Sequence, residues 1–108
     1  MPQYEYLRDI FFNGSLFISE ISRVEVLGYG KLSKDQEDYF SDIFSIVPII
    51  TPSKEIFDAA IEVRKMHNLK LGDSLIAATA LVHKLEIYSR NIKDFERVVN
   101  LRCINPII

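Results

Sequence analysis

Three acidic residues lie far apart in the 108-residue chain, but their positions allow them to share one site. Asp73 and Asp94 stand near the two ends of the segment LGDSLIAATALVHKLEIYSRNIKDF at 71–95, and Glu25 follows the apolar run LFI at 16–18. Carboxylates that converge repel one another unless a divalent cation lies between them. Mg²⁺ and Mn²⁺ prefer such all-oxygen ligands and can activate water against a phosphodiester. The chemistry indicated is therefore metal-assisted hydrolysis.

Predicted strands and helices alternate along the chain and must position these acids. Short apolar runs bounded by turn residues indicate buried strands, and apolar residues at three- and four-residue spacing indicate helices. This alternation favours a parallel sheet with helices on its faces. The predicted strands cover 16–18, 46–50, 86–89 and 102–105, and the predicted helices cover 3–12, about 20–30, a segment from 33, a segment from 51 to about 67, and 73–83.

Two of the predicted helices begin with a capping signal. Ser33 and Gln36 fit a capping box, in which a hydroxyl and a side-chain amide satisfy free backbone N–H groups. Thr51 and Pro52 predict a cap followed by proline at the first helical position. The two helices are therefore expected to start at these residues.

Helix and strand lengths predict that Asp73 and Asp94 meet. Asp73 opens a helix of about 11 residues, which carries the chain ~16 Å at ~1.5 Å per residue. The strand that follows, about five residues at ~3.3 Å each, returns ~16 Å, and Asp94 comes one turn later. Both acids are then at the carboxyl edge of the sheet, where open α/β sheets bind ligands. Glu25 reaches the same edge, because it lies in the first two turns of the helix after strand 16–18.

Each acid also has a local alternative role. Asp73 could be an N-terminal helix acid that the macrodipole favours. Glu25 stands three residues after Ser22, so the sequence S-R-V-E is also a capping box. Asp94 could brace the turn that follows Asn91. The convergence of all three acids at one edge is what favours a shared site over these separate roles.

The composition is that of one globular domain that spans residues 1–108. Hydrophobic residues make up 48% and charged residues 26% of the chain, and no apolar run is long enough to span a membrane. No charged segment followed by an apolar one opens the chain, so no signal peptide is expected. The single cysteine, Cys103, cannot form an internal disulfide, which favours the reducing cytoplasm. The net charge of −2 is unfavourable for binding nucleic acid through phosphate contacts alone. A nucleic-acid role would therefore need a metal ion or a local basic patch.

The segment that carries Asp73 and Asp94 resembles the C-terminal half of PIN domains, in particular the VapC-like ribonuclease toxins. The family pattern is an aspartate followed by I-A-A-T-A, then a strand, then [ST]-x-N-x-x-D-F. In this chain the pattern falls on Asp73, residues 76–80, Ser89, Asn91 and the pair Asp94-Phe95. The segment LFISEISRVEVLGYG resembles the strand and the second acid of the family, which corresponds to Glu25.

The resemblance implies a three-layer α/β/α fold with a short parallel sheet and an Mg²⁺- or Mn²⁺-dependent endoribonuclease. Glu25 and Asp73 would bind the metal or position the attacking water, and Asp94 would complete the site directly or through a water molecule. Ser89 and Asn91 would orient the acids or contact the RNA. Such toxins pair with an antitoxin whose tail blocks the cleft, and they form homodimers.

One departure from the family pattern concerns the first strand and helix. PIN domains begin with a strand that ends in an acid, commonly D-T-N or D-x-[NS], and this chain has no such opening. Asp9 is a poor substitute, because 3–12 fits an amphipathic helix and too few residues separate Asp9 from Glu25. The chain is therefore interpreted as a PIN-like domain without its N-terminal βα unit.

The missing unit predicts a gap in the middle of the sheet, because the first strand of the family lies there. The remaining strands could move together, a second chain could supply a strand in a strand-exchanged dimer, or the segment could have been lost. With three acids in place of four, the chain alone is expected to be a weak or inactive nuclease. The alternative is a PIN-like remnant without catalysis that acts as a protein-binding or dimerisation module.

Overall fold

The structure, a computed structural model, describes residues 17–89 and 92–104. Within these residues the chain alternates between short strands and helices. The order is β1 (Ile18–Ser19), α1 (Glu20–Leu27), α2 (Lys34–Ile46), β2 (Ile49–Ile50), α3 (Lys54–His67), α4 (Leu71–His83), β3 (Ile87–Tyr88), α5 (Ile92–Phe95) and β4 (Cys103–Ile104). The α/β alternation predicted from the sequence is present, whereas the predicted helix at 3–12 lies outside the described residues.

The strands pair in parallel, but those described form two sheets of two strands instead of one sheet. In one sheet Ile18 of β1 is paired with Ile49 of β2, and in the other Ile87 of β3 is paired with Cys103 of β4. A cleft of about 760 Å³ borders both β1 and β3. The possibility that the remaining strands close the gap by moving together is therefore wrong, because β1 and β3 stay apart as the edges of separate pairs.

Helix α4 joins the two halves of the molecule, because it contributes to two clusters of buried side chains. The β2 cluster lies between α3 and α4 and has Ile50 and Ile21 packed against it. The β3 cluster extends from the same two helices to β3 and α5. The β2 cluster consists of Ile56, Ala60, Leu75 and Ala78, and the β3 cluster of Val63, Leu69, Ala77, Ala80, Ile87, Phe95 and Val98.

Small residues in α4 let its backbone approach both clusters. Ala77 and Ala78 are fully buried on adjacent sides of the helix. The two buried hydroxyls of α4 are satisfied within the helix, since Ser74 donates to the carbonyl of Lys70 at 2.9 Å and Thr79 to that of Leu75 at 2.7 Å. Burial of these polar groups therefore leaves no hydrogen bond unmade. The result is a well-packed helix whose first turn is fixed in position.

Two element boundaries differ from the predictions for physical reasons. The predicted strand 46–50 is shorter, because α2 continues to Ile46 and the N–H of Val47 donates to the carbonyl of Ile43 at 3.0 Å. The predicted cap at Thr51-Pro52 is wrong, because the N-cap of α3 is Ser53, whose hydroxyl accepts from Ile56 N–H at 3.3 Å. A serine two residues after Thr51 is therefore the cap.

Other local predictions are confirmed or adjusted. The capping box at the start of α2 is confirmed, with Ser33 Oγ accepting from Gln36 N–H at 3.1 Å and Gln36 Oε1 accepting from Ser33 N–H at 3.0 Å. The turn predicted after β3 contains the short helix α5. Within 17–89 and 92–104, no helix has both the length and the apolar character that a membrane crossing requires.

Candidate active site

Asp73 lies in the first turn of α4, held there by the burial of the residues that follow it. Its carboxyl group is half-buried. Burial and, to a smaller extent, the charge of Asp94 raise the pKa of Asp73 above its usual range, while Lys70 opposes this shift. A carboxylate that is both desolvated and next to a like charge is poorly compensated, and a bound cation would relieve both effects. The first-turn position also leaves the macrodipole interpretation of Asp73 open.

Asp94 lies in the short helix α5 and is exposed. The effect of its charge on the pKa of Asp73 shows that the two carboxylates are near each other. Asp94, on α5, is therefore within electrostatic reach of the first turn of α4, in agreement with the length argument for these two acids. Since Asp94 is exposed, an ion or substrate in solvent can reach it directly.

Glu25 extends from α1 towards the same turn of α4. A Cβ atom built on Gly72 would lie 3.3 Å from Glu25 Oε2 and 3.4 Å from Oε1, so the Glu25 carboxylate rests against the residue that precedes Asp73. The alternative capping-box role of Glu25 is wrong, because the N-cap of α1 is Ser19, not Ser22. Glu25 is thus free of the local role that competed with the shared site.

Another acid of α1, Glu20, is engaged elsewhere. Its Oε1 accepts hydrogen bonds from the Nε atom of Arg23, at 2.7 Å, and from Nη2 of the same guanidinium. This ion pair neutralises Glu20 within its own helix. Of the two glutamates on α1, Glu25 is therefore the one that faces the first turn of α4.

The predicted substrate residues follow β3. Ser89 comes directly after the strand, and its N–H donates to the carbonyl of Ile104 at 3.0 Å, which extends the pairing of β3 with β4. Asn91 lies outside the described residues. The structure therefore fixes the backbone of Ser89 at the carboxyl end of β3, close in sequence to Asp94.

The donor chemistry of Glu25, Asp73 and Asp94 fits a hard divalent cation, since all three supply carboxylate oxygens. Their arrangement brings two of them into electrostatic reach of each other, Asp73 and Asp94, whereas Glu25 lies against Gly72, which has no ligand side chain. Among residues 17–89 and 92–104, no three His, Cys, Asp or Glu side chains are close enough together to hold a metal ion. The acids are therefore gathered at one end of α4 but not closed into a coordination shell.

Sequence reasoning missed Gly72. The glycine belongs to no catalytic motif, and its importance becomes visible only when α1 is packed against α4 and the Glu25 carboxylate lies where a side chain of residue 72 would be. The signal available in the sequence was a glycine directly before the predicted helix 73–83 and its first residue, the candidate ligand Asp73.

The family model of the PIN domain matches residues 2–101. The chain belongs to the PIN domain family. Among curated proteins it is similar to Ribonuclease VapC1 of Rickettsia felis (strain ATCC VR-1525 / URRWXCal2), with 26% identity over 104 residues that cover 84% of this chain and 76% of that protein. The resemblance to PIN domains inferred from the sequence is therefore confirmed.

Two solved structures are similar to this PIN domain in fold as well as in sequence. VapBC2 from Rickettsia felis, bound to a DNA fragment from its promoter, has a TM-score of 0.78 and 30% identity, and the match covers 94% of this chain and 83% of that chain. A toxin-antitoxin complex from Klebsiella pneumoniae has a TM-score of 0.69 and 35% identity, covering 82% of this chain and 72% of that chain. The predicted α/β PIN-like fold is thereby confirmed.

Proposed function

We propose that this PIN domain is an Mg²⁺- or Mn²⁺-dependent endoribonuclease and the toxin of a toxin–antitoxin pair. The observation that carries the proposal is the gathering of Glu25, Asp73 and Asp94 around the first turn of α4. The similarity to a protein named ribonuclease and to toxin–antitoxin complexes supports the same activity and setting. The cytoplasm, where RNA and a protein antitoxin are both present, is the compartment in which such a pair acts.

In this proposal Glu25, Asp73 and Asp94 hold the cation. The ion supplies a Lewis acid for a phosphodiester oxygen and lowers the pKa of a water molecule. Asp73, whose own pKa is raised, would be stabilised in its ionised form by the added positive charge. Ser89 and Asn91 orient the acids or contact the RNA beside them.

We expect metal binding to be weak. The three carboxylates must move inward before they can share one ion, because in the described part of the chain no three acids are within metal-binding reach. Bringing like charges together costs free energy that subtracts from the affinity for the ion. The nuclease is accordingly expected to be slow and to need Mn²⁺ well above trace concentrations.

The proposed partners are RNA, a cognate antitoxin and a second copy of the chain in a homodimer, including one that exchanges a strand. The gathered acids give the site a negative charge, and an antitoxin that blocks it would present Arg or Lys side chains to them. RNA carries the same sign of charge as the acids, which is why its binding is proposed to depend on the cation.

The proposal is tested by incubating single-stranded RNA with the chain and increasing Mn²⁺, in parallel with Asp73→Asn. We expect slow cleavage that requires the metal and falls at least about a hundredfold in the variant, because loss of a carboxylate ligand weakens the binding of the ion that polarises the phosphodiester. Asp58→Asn is the matched control, since Asp58 is an exposed aspartate on α3 paired with Lys54. Cleavage that persists unchanged in Asp73→Asn would contradict the proposal.

The second candidate function is a binding or dimerisation module without catalysis. It is favoured by the lack of three metal-ligating side chains within reach of one another in residues 17–89 and 92–104. Titration calorimetry with Mn²⁺ separates the two functions: the nuclease gives a single-site isotherm that Asp73→Asn abolishes, and the module gives none. An Asp73→Asn isotherm identical to that of the wild type would exclude Asp73 as a ligand and leave the module as the better description.

A further inference from the structure

We infer that Gly72 is a positioning residue: the absence of a side chain there lets the Glu25 carboxylate lie against the first turn of α4, the turn that carries Asp73. The inference rests on the proposed function, because the position of Glu25 matters through the cation that the acids share. It assigns a role to a residue that neither contacts substrate nor binds metal. Its basis is the packing of α1 against the first turn of α4.

The geometry at Gly72 leaves little room for a Cβ atom. Such an atom would be 3.3 Å, 3.4 Å and 3.5 Å from Oε2, Oε1 and Cδ of Glu25, so the whole carboxylate faces the glycine. Contacts at 3.3–3.4 Å between carbon and oxygen are tighter than ordinary van der Waals packing. A methyl group at residue 72 would therefore push the Glu25 carboxylate outward from the first turn of α4 by a few tenths of an ångström.

The backbone conformation does not explain the glycine. Gly72 lies inside the helix α4 and does not adopt the left-handed conformation that favours glycine. Alanine would be the better helix former at such a position. The space needed by the Glu25 carboxylate is the remaining reason for the absence of a side chain.

The start of α4 also attracts a carboxylate. Its N-cap, Lys70, makes no side-chain hydrogen bond to the helix, so free N–H groups of the first turn are without the usual side-chain acceptor. The positive end of the helix dipole favours anions at this position. Gly72 thus leaves room for Glu25 at the turn that carries Asp73. The positive end of the helix favours the presence of the carboxylate there.

The test is Gly72→Ala, with Mn²⁺ affinity measured by titration calorimetry and stability by thermal melting in a chelator. We expect the affinity to fall about tenfold, the size of effect typical of residues that orient metal ligands. The melting temperature should stay equal or rise, since alanine favours the helix. Gly30→Ala is the matched control, because nothing lies within 4 Å of a Cβ atom at Gly30.

A double-mutant cycle with Glu25→Gln shows whether Gly72 acts through Glu25. In the Glu25→Gln background, Gly72→Ala should cause no further loss of Mn²⁺ affinity, because the positioned carboxylate is already gone. The inference is overturned if Gly72→Ala lowers the Mn²⁺ affinity equally in both backgrounds. It is also overturned if Gly72→Ala leaves the Mn²⁺ affinity unchanged when Glu25 is present. In either case, Mn²⁺ binding by the wild-type chain would still support the proposed function. A wild-type chain that binds no Mn²⁺ would overturn both.

Discussion

At the scale of single residues, the charge of Asp73 costs stability in the folded chain. Asp73 is partly desolvated and close to Asp94, and both effects raise its pKa in the folded chain. The folded state therefore binds the Asp73 proton more tightly than the unfolded state does, for which an ordinary aspartate pKa of about 3.9 applies. As the pH rises through and above that range, Asp73 loses its proton and its contribution becomes destabilising.

Asp73→Asn is accordingly predicted to raise the melting temperature at pH 7 in the presence of a chelator. The neutral amide has nearly the same size but carries no charge to desolvate or to be repelled by Asp94. The gain should shrink as the pH falls through the raised pKa of folded Asp73 and be absent below about pH 4, where the carboxyl group becomes protonated in the unfolded chain as well. Melts followed by circular dichroism across this pH range check the prediction, with Asp58→Asn as control. A lower melting temperature for Asp73→Asn at pH 7 would show that the charge of Asp73 is stabilising instead.

The sequence was informative about which acids converge but not about how closely. Helix and strand lengths predicted the approach of Asp94 to Asp73, because both elements have fixed rises per residue. The placement of Glu25 against Gly72 depends on the packing of α1 on α4, for which no local pattern exists. The roles of Glu25, Asp73, Asp94, Ser89 and Asn91 as site residues stay predictions until the variants are measured.

At the scale of elements, helices with strong local signals were predictable. The capping box of Ser33 and Gln36 needs only residues three apart in the sequence, and it forms as predicted. The S-R-V-E box fits the same pattern equally well, but Ser19, the last residue of β1, caps α1. A capping pattern therefore shows that a serine is able to cap a helix. The end of the preceding strand decides whether Ser19 or Ser22 is the N-cap.

The run IVPII shows why strand boundaries were harder to predict. Apolar residues at 46–50 fit a buried strand, yet Ile46 is 67% exposed at the end of α2. The helix stops only where Pro48, which has no N–H, cannot continue it. The carbonyl of Pro48 instead accepts from Ile18 N–H at 3.0 Å, so the proline begins the pairing with β1. Periodicity alone could not separate the end of one element from the start of the next.

At the scale of the whole molecule, the described strands are too few and too short to unite the fold. Each sheet has two strands of two residues, and the cleft that borders β1 and β3 lies between the sheets. What connects the halves is the pair α3 and α4, which contributes to both the β2 cluster and the β3 cluster. The split of the sheet could not be predicted from element order, since alternation specifies neighbours in sequence and leaves pairing to tertiary contacts.

If the helix pair unites the molecule, damage to one cluster must weaken both halves together. Ile56→Ala removes a side chain that is 0% exposed in the β2 cluster and should lower the free energy of unfolding by about 2–4 kcal/mol. Ile61→Ala, on the same helix but 53% exposed, should cost no more than about 0.5 kcal/mol.

Urea unfolding followed by the methyl resonances of Ile50 and Ile87 reports on the two halves separately. In Ile56→Ala both resonances should lose intensity at the same, lower urea concentration, because α4 carries the loss from one cluster to the other. A transition of Ile87 that stays at the wild-type midpoint would mean that the two halves unfold independently.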